Sequence, residues 1–231
     1  MYSFFQIKHG KAIAFWLIHF TLFIGYSQEV QVDSKFNSFD DGQLGDGFDG
    51  TVRSLSLQND GKLLVGGEFL NFNGNTTPYF TRLLIDGSKD PTFNLGSGFN
   101  ARINASVIQP DGRIILGGSF TTFNGVPVGR LIRLNVDGSR DSSFDTSVAV
   151  ASGIIYGLAL QADGKLLVVG SFTKYNETTV NRIARLLPNG TLDSSFVTGT
   201  GATSTIDDVV IGADGKIVLS GDRKSVGRER V

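Results

Sequence analysis

The sequence predicts an all-β protein, a β-propeller-like array of repeated units of about 50 residues each. Four segments of the 231-residue chain align with one another without gaps, and each places an Asp-Gly pair between two apolar runs. No segment shows the periodicity of an amphipathic helix. The glycine of the pair recurs at spacings of 51, 52 and 51 residues, at Gly61, Gly112, Gly164 and Gly215. A β-solenoid is the alternative arrangement, although its repeats are usually shorter.

Each unit is predicted to begin with an extended strand that leads into the Asp-Gly pair. Asp and Gly tolerate the positive φ angles of tight turns, so this pair between apolar runs is a strong hairpin signal. The predicted first strands span residues 52–58, 103–109, 155–161 and 206–212.

The second predicted strand of each unit is almost wholly apolar, as in Leu63-Leu64-Val65 and Ile217-Val218-Leu219. A continuous apolar run indicates a strand that is buried on both faces. The strand ends in glycine, as at Gly66-Gly67 and Gly117-Gly118, where the missing side chain lets another backbone approach closely. An Asn-Gly turn follows in the first two units, before a third strand.

A second set of residues recurs with the same spacing. The segments DGSKDPTF, DGSRDSSF and NGTLDSSF end at Phe93, Phe144 and Phe196, which are predicted to pack in the core. The third strand carries one arginine per unit, at Arg82, Arg133 and Arg185. We expect each arginine to pair with an aspartate of its own or the adjacent unit (Asp90, Asp141 or Asp193) and so to join units. The alternative is a ring of arginines that binds anionic glycans or phosphate.

The pattern QPDGRIILGGSFTTFNG…RLIRLNVDGSRDSSF resembles the delta-60 repeat, a β-propeller-type repeat of secreted bacterial proteins. The resemblance extends over roughly residues 34–221. It implies a propeller and an exported, often surface-associated product, in proteins that frequently continue into a C-terminal sorting domain. No catalytic residues are attached to this family, so the resemblance implies none here.

Residues 1–27 have the pattern of a secretory signal peptide. Lys8 and Lys11 precede a 13-residue apolar run, and Gly25 and Ser27 precede the predicted cleavage after residue 27. A membrane anchor is the alternative, but it needs about 20 apolar residues. We therefore predict a secreted or cell-surface protein with its repeats in residues 28–221 and no membrane span after cleavage.

Residues 222–231 depart from the repeat. Arg223 stands where the other units have Phe69, Phe120 and Phe172, and charged residues replace the apolar pattern. We interpret this segment as the end of a truncated or frame-shifted repeat, with a native basic tail as the alternative. With about three and a half units, the ring of blades is predicted to be incomplete.

Composition excludes several classes of chemistry. The chain has no Cys, and its two His, His9 and His19, lie in the predicted signal peptide. The mature chain then lacks Ser–His–Asp and Cys–His nucleophiles, disulfides, and zinc sites built from Cys or His. A net charge of −1 gives no basic surface for nucleic acid. We predict no catalytic residues and no cofactor.

Two acidic segments are candidate sites. Asn135, Asp137 and Asp141 stand at alternate positions, like the oxygen ligands of a Ca²⁺ loop, but other units have leucine at the first of these positions. Turn formation is therefore the favoured interpretation. The connection Asn37–Gly50 is longer than its equivalents and is the place to look for a function specific to one unit. Its carboxylates are Asp40, Asp41, Asp46 and Asp49.

Two function classes fit these features. The first is a non-enzymatic, secreted or cell-surface binding or adhesion scaffold whose partner is an extracellular protein or a glycan. The second is a carbohydrate-active enzyme, a glycosidase or a lyase, on the same scaffold. Glycosidase chemistry needs only two carboxylates and no histidine, but no carboxylate pair stands out in the sequence.

Overall fold

The computed structural model describes residues 47–144, 150 and 152–221, all of which belong to the unit that spans residues 34–231. The predicted signal peptide, the tail at 222–231 and most of the connection at 37–50 lie outside the described residues. In the described part of the chain every regular element is a strand, which confirms the all-β fold class.

The strands fall into four units, in the order that the repeats predict. The first unit contains β1 (Val52–Leu57), β2 (Leu63–Gly67), β3 (Asn71–Phe72), β4 (Asn75–Thr76) and β5 (Phe80–Leu83). The second contains β6 (Ile103–Ile108), β7 (Ile114–Gly118), β8 (Thr122–Phe123), β9 (Val126–Pro127) and β10 (Leu131–Leu134). The third contains β11 (Ile155–Leu160), β12 (Leu166–Gly170), β13 (Lys174–Tyr175), β14 (Thr178–Thr179) and β15 (Ile183–Leu186). The fourth contains β16 (Ile206–Ile211) and β17 (Ile217–Gly221).

Each of the first three units is a three-stranded antiparallel sheet with its apolar second strand in the middle. The sheet orders are β1-β2-β5, β6-β7-β10 and β11-β12-β15. A two-stranded hairpin is inserted between the second and third strands, as β3-β4, β8-β9 or β13-β14. The Asn73-Gly74 turn closes the first of these hairpins, and both of its residues have positive φ angles (47° and 69°).

The Asp-Gly hairpins differ in detail from the predicted turn. Gly61 has a φ of 83°, whereas Asp60 is not among the residues with positive φ. The Gln58 amide donates to the Lys62 carbonyl (2.8 Å), and the Gly61 amide donates to the Gln58 carbonyl (3.0 Å). This is the three-residue hairpin loop, in which a type I turn is followed by a left-handed glycine. Only the glycine therefore needs the unusual backbone conformation.

The hydrophobic core is shared between successive units. One buried cluster combines Leu64 and Phe80 of the first unit with Ile103 and Phe120 of the second. A second cluster joins the second and third units, and a third joins the third and fourth. Each sheet thus buries its faces against its sequence neighbours, which is why the second strands β7 and β12 are buried at every residue.

The glycines at the ends of the second strands permit two kinds of close approach. A Cβ on Gly118 would lie 2.3 Å from the carbonyl oxygen of Arg102 in the same sheet. A Cβ on Gly117 would instead lie 2.5 Å from Cγ2 of Ile155, which belongs to the next unit. The third unit has Val169 at the latter position, and its cross-strand partner there is Gly157. In the second unit the glycine of this pair is on the second strand (Gly117, opposite Ala105), whereas in the third unit it is on the first strand (Gly157, opposite Val169).

The fourth unit corrects one prediction. The run Ile217-Val218-Leu219 was expected to be buried on both faces, but β17 alternates between intermediate and exposed residues. Val218 on β17 and Val210 on β16 are each more than half exposed (57% and 56%). The cause is that the fourth sheet packs on the third unit through Ile206 and Val209, and no described strand covers its other face.

Candidate functional site

The repeated arginines join successive units. Arg133 donates from Nε to Oδ2 of Asp141 (2.7 Å), and its guanidinium lies 4.6 Å from the centroid of the Phe144 ring. Its Nη1 donates to the carbonyl oxygen of Pro188 in the next unit (2.7 Å). Because a guanidinium presents several donors in a fixed plane, one side chain bonds to both units at once.

The same arrangement recurs in the first unit and in part in the third. Arg82 donates to Asp90 (2.8 Å) and to the carbonyl oxygen of Val136 in the next unit (2.7 Å). Arg185 donates to Asp193 (2.9 Å) and lies over the Phe196 ring. Arg82 and Arg133 are only 4% and 5% exposed, so they do not form the anion-binding surface ring that the sequence also allowed.

The aspartates of these pairs are strongly perturbed. Burial raises the pKa of Asp141, but hydrogen bonds from the Ser143 hydroxyl and amide and from Arg133 outweigh it and lower the pKa to about 2. Burial likewise opposes the lowering at Asp90, where Thr92 and Lys62 donate to the carboxylate beside Arg82 and the pKa falls well below its usual range. These carboxylates are ionised partners in a structural ion pair.

The residues of the candidate Ca²⁺ site, Asn135, Asp137 and Asp141, form hydrogen bonds within turns and with Arg133. Oδ1 of Asp137 accepts hydrogen bonds from the Ser139 amide (3.0 Å) and hydroxyl (2.7 Å), while Nδ2 of Asn135 donates to that hydroxyl (2.9 Å). Asp141 is held by Arg133 and Ser143. Within residues 47–144, 150 and 152–221, no group of three or more His, Cys, Asp or Glu residues is placed to hold a metal ion.

Asp49, in the described end of the long acidic connection, also has a structural role as a hydrogen-bond acceptor. Oδ1 of Asp49 accepts from the amides of Leu70 (2.7 Å) and Asn71 (2.9 Å). Asn100 does the same in the second unit, accepting from the amides of Thr121 (2.8 Å) and Thr122 (3.0 Å). The role of Asp49 is therefore repeated, whereas Asp40, Asp41 and Asp46 lie outside the described residues.

A cleft lies where the first strands of the four units come together. It is open to solvent and has a volume of about 690 Å³, and residues of β1, β6, β11 and β16 line it. We call it the first-strand cleft. Its lining residues are Thr51, Val52, Arg53, Ser54, Leu55, Asn104, Ala105, Ser106, Tyr156, Gly157, Leu158, Asp207 and Asp208. A volume of this size falls in the range of small-ligand sites.

One repeat position gives the cleft four different side chains. Alignment of the units on their Asp-Gly turns brings four residues into the same place on the first strand: Arg53, Asn104, Tyr156 and Asp207. The preceding position is apolar and β-branched in every unit, as Val52, Ile103, Ile155 and Ile206. Sequence analysis missed these residues, although the change of residue type at one fixed repeat position was visible in the alignment.

The neutral polar groups of the cleft connect neighbouring first strands. The Ser106 hydroxyl lies 2.6 Å from the Ser54 hydroxyl and 2.7 Å from that of Ser56. Nδ2 of Asn104 donates to the carbonyl oxygen of Ile155 (2.8 Å). Asn104 is 9% exposed, and its Oδ1 is a buried acceptor with no hydrogen-bond partner. An unsatisfied buried acceptor of this kind is unfavourable, and a donor from elsewhere would relieve it.

The charges of the cleft are unevenly distributed. Arg53 donates from Nε to Oε1 of Glu68 (3.0 Å), which also accepts from Arg102 (2.6 Å). Hydrogen bonds from Arg102 and Arg53 lower the pKa of Glu68. At the other end, Asp207 and Asp208 are exposed and form no ion pair within the described part of the chain. Among the described residues that line the cleft, Arg53 is the only cation and is partly neutralised by Glu68, whereas the carboxylates of Asp207 and Asp208 are not neutralised.

A protein-family model is similar to parts of three repeats. A family model described as "Domain of unknown function (DUF5122) beta-propeller" matches residues 58–93, 109–144 and 161–196. Each match runs from the glutamine before an Asp-Gly turn to the phenylalanine at the end of the second recurring segment. A search of curated protein sequences found no match.

Several solved structures are similar to the chain at low sequence identity. A catalytically inactive virginiamycin B lyase from Staphylococcus aureus, solved with quinupristin, is 15% identical with a TM-score of 0.46, over 84% of this chain and 52% of that one. A gluconolactonase-like protein is 18% identical with a TM-score of 0.47, over 76% and 58% of the two chains. PorZ, a surface component of the type-IX secretion system of Porphyromonas gingivalis, is 10% identical with a TM-score of 0.40, over 73% and 24%. The chain thus spans about half the length of the lyase structure or of the gluconolactonase-like one.

Proposed function

The chain is a β-propeller repeat protein, and we propose that it is a secreted or cell-surface binding module, without enzymatic activity, whose ligand occupies the first-strand cleft. The observation that carries this proposal is the repeat position occupied by Arg53, Asn104, Tyr156 and Asp207. A position that serves only packing keeps one residue type in every copy, as the neighbouring Val/Ile position does. Four unlike side chains around one cleft are what recognition of an asymmetric ligand requires.

Export is supported by the sequence. The leader at residues 1–27 has a basic start, an apolar run too short to span a bilayer, and small residues before the cleavage point. The delta-60 resemblance points in the same direction. In the described residues no helix has the length and apolar character needed to cross a membrane.

A role without catalysis is supported by the residue types available. After the leader the chain holds neither His nor Cys, so the commonest general base and the thiol nucleophile are both missing. The repeated aspartates, Asp90, Asp141 and Asp193, are engaged by arginine and by Ser or Thr. Their lowered pKa values make them poor proton donors at neutral pH.

The proposal is tested by binding. The full chain is expressed with its leader, and mass spectrometry of the exported product is expected to show an N-terminus at Gln28. The product is then applied to arrays of glycans and of extracellular proteins, together with the Tyr156→Ala and Asp207→Asn variants. Both variants are expected to lose binding, while the control Thr178→Ala, on the exposed hairpin β13-β14, retains it.

Two results would contradict this function. Bound partners that are insensitive to both cleft variants would show that another surface binds. A product that stays in the cell with its leader uncut would refute the extracellular role.

An enzymatic function is the second candidate, and one observation favours it. Asp207 and Asp208 both line the cleft, and glycoside hydrolysis uses two carboxylates. Hydrolysis of a polysaccharide by the exported protein that disappears in Asp207→Asn or Asp208→Asn would establish this candidate. The same assay applies to Asp41→Asn and Asp46→Asn in the acidic connection.

A further inference from the structure

We propose that the first-strand cleft binds a neutral saccharide. This inference rests on the proposed function, because it names the ligand class for the same cleft. Three properties of the cleft support it: its charge, its one partly exposed aromatic ring, and its mixture of hydrogen-bonding groups.

The charge of the cleft disfavours anions. Asp207 and Asp208 carry two exposed carboxylates without an ion pair in the described part of the chain, while Arg53 already donates to Glu68. A uronic acid, a sulfated sugar or a phosphate placed in this cleft meets like charge, which reduces affinity and on-rate. The arginines that could have attracted such ligands, Arg82 and Arg133, are buried between units.

Tyr156 supplies an apolar face with a polar tip. Its side chain is intermediate in exposure, and neither its ring nor its hydroxyl has a partner among the described residues. Tyr175, on β13 of the same unit, is by contrast fully buried and cannot contact a ligand in the cleft. A partly exposed tyrosine in a concave site can cover the C–H face of a sugar ring while its hydroxyl bonds to the ring's substituents.

The polar groups around Tyr156 match a ligand that both donates and accepts hydrogen bonds. The carboxylate of Asp207 can only accept, the hydroxyls of Ser54 and Ser106 can do both, and Oδ1 of Asn104 lacks a donor. Sugar hydroxyls both donate and accept. A ligand without them leaves the polar groups of the cleft unpaired, so the cleft discriminates strongly in favour of a ligand with hydroxyls. The volume of about 690 Å³ accommodates a short oligosaccharide segment.

The test is a titration of the exported full-length protein with four probe sets. These are neutral oligosaccharides (gluco-, manno-, galacto- and xylo-), oligosaccharides of uronic acids, sulfated oligosaccharides, and a peptide array. A neutral oligosaccharide is expected to bind best. Tyr156→Ala is expected to weaken its binding at least about tenfold, and Asp207→Asn about tenfold, because each removes a direct contact.

Matched variants separate contact from folding. Tyr156→Phe keeps the ring and is expected to weaken binding by about fivefold, less than Tyr156→Ala, since only one hydrogen bond is lost. Thr178→Ala is expected to leave the affinity unchanged. Every variant is compared with the parent protein by thermal unfolding, and only those with an unchanged transition are scored.

The outcomes distinguish this inference from the proposed function. Peptide, uronic acid or sulfated ligands that bind best and depend on Tyr156 overturn the neutral-saccharide inference but keep the cleft as the binding site. A neutral saccharide that binds equally well to Tyr156→Ala and Asp207→Asn overturns the assignment of the cleft. Binding of none of the four probe sets overturns the saccharide inference, and the protein array then decides the proposed function.

Discussion

Arg133 donates a hydrogen bond to the carbonyl oxygen of Pro188, which lies 55 residues further along the chain, at 2.7 Å. The same guanidinium holds Asp141 of its own unit. One buried side chain thus bonds within its own unit and to the next unit. The contribution of the bond between units can be separated by comparison with Arg185, whose described hydrogen bonds all stay within its own unit.

The first prediction concerns this arginine. Arg133→Ala is expected to lower the free energy of unfolding by about 2 kcal/mol, because it removes the charged hydrogen bonds to Asp141 and to the Pro188 carbonyl and leaves Asp141 with the more distant Arg113 (3.4 Å). Arg185→Ala is expected to have a smaller effect, since that side chain is more exposed (18% against 5%) and bonds to no other unit among the described residues. Denaturant unfolding of both variants checks this. Equal losses would show that the contact between units contributes nothing.

The second prediction concerns acid. The folded-state pKa of Asp141, about 2, lies below its usual value of 3.8, so the ionised carboxylate stabilises the fold at higher pH. This stability is fully present above about pH 5 and is lost as the pH falls through 3.8 towards 2. Asp141→Asn is expected to unfold more easily at pH 7 and to approach the parent protein near pH 2.

The control for the acid experiment is Asp111→Asn, whose carboxylate is exposed. It is expected to leave the unfolding profile between pH 7 and 2 almost unchanged. A parent protein whose unfolding free energy stayed constant between pH 5 and 2 would refute the role assigned to the Asp90 and Asp141 ion pairs.

The third prediction concerns the glycine at the end of the second strand. Gly118→Ala is expected to destabilise the protein by about 3 kcal/mol, because the new Cβ would lie 2.3 Å from the carbonyl oxygen of Arg102. Gly125→Ala meets no atom within 4 Å and carries only the strain of a positive φ, about 1 kcal/mol. Thermal unfolding of the two variants measures the difference, and a larger effect at Gly125 would contradict the close approach.

The fourth prediction concerns Asp49. Asp49→Asn is expected to lower the melting temperature less than Asp49→Ala does, because asparagine keeps the acceptor for the two amides, as Asn100 does in the second unit, and loses only the bond from Nδ2 of Asn71 to the second carboxylate oxygen. Asp49→Ala is expected to lower it, since the amides of Leu70 and Asn71 lose their acceptor. If Asp49 served a ligand and not the fold, binding would be lost in Asp49→Asn, and both Asp49→Asn and Asp49→Ala would keep the melting temperature of the parent.

The fold could be predicted from sequence because its determinants recur. Gly61 and its three equivalents mark the hairpins, and the apolar runs before Gly66-Gly67 mark the central strands. The error at β17 arose because burial of a repeat depends on its neighbours as well as on its own residues. A similar apolar run is buried when it lies between two sheets, as in β7, and is partly exposed when it packs on one sheet, as in β17.

The first-strand cleft could not be found in the same way. Recurring residues are those that hold the scaffold, and they predict the pair of Arg133 with Asp141 and the burial of Phe144, although not the contact of Arg133 with the Phe144 ring. Asn104 and Tyr156 share no residue type, and their common position matters only once the first strands are brought together around one cavity. The arginine–aspartate pairing was predictable, whereas the bond to the next unit's carbonyl depends on how two successive units pack against each other.

The bond from Arg82 to the carbonyl of Val136 crosses 54 residues of sequence. Because a chain is synthesised from its N-terminus, the first blade cannot be completed until the turn of the second unit has emerged. The first two repeats are then assembled in chain order, and the later one supplies the last hydrogen bond of the earlier one.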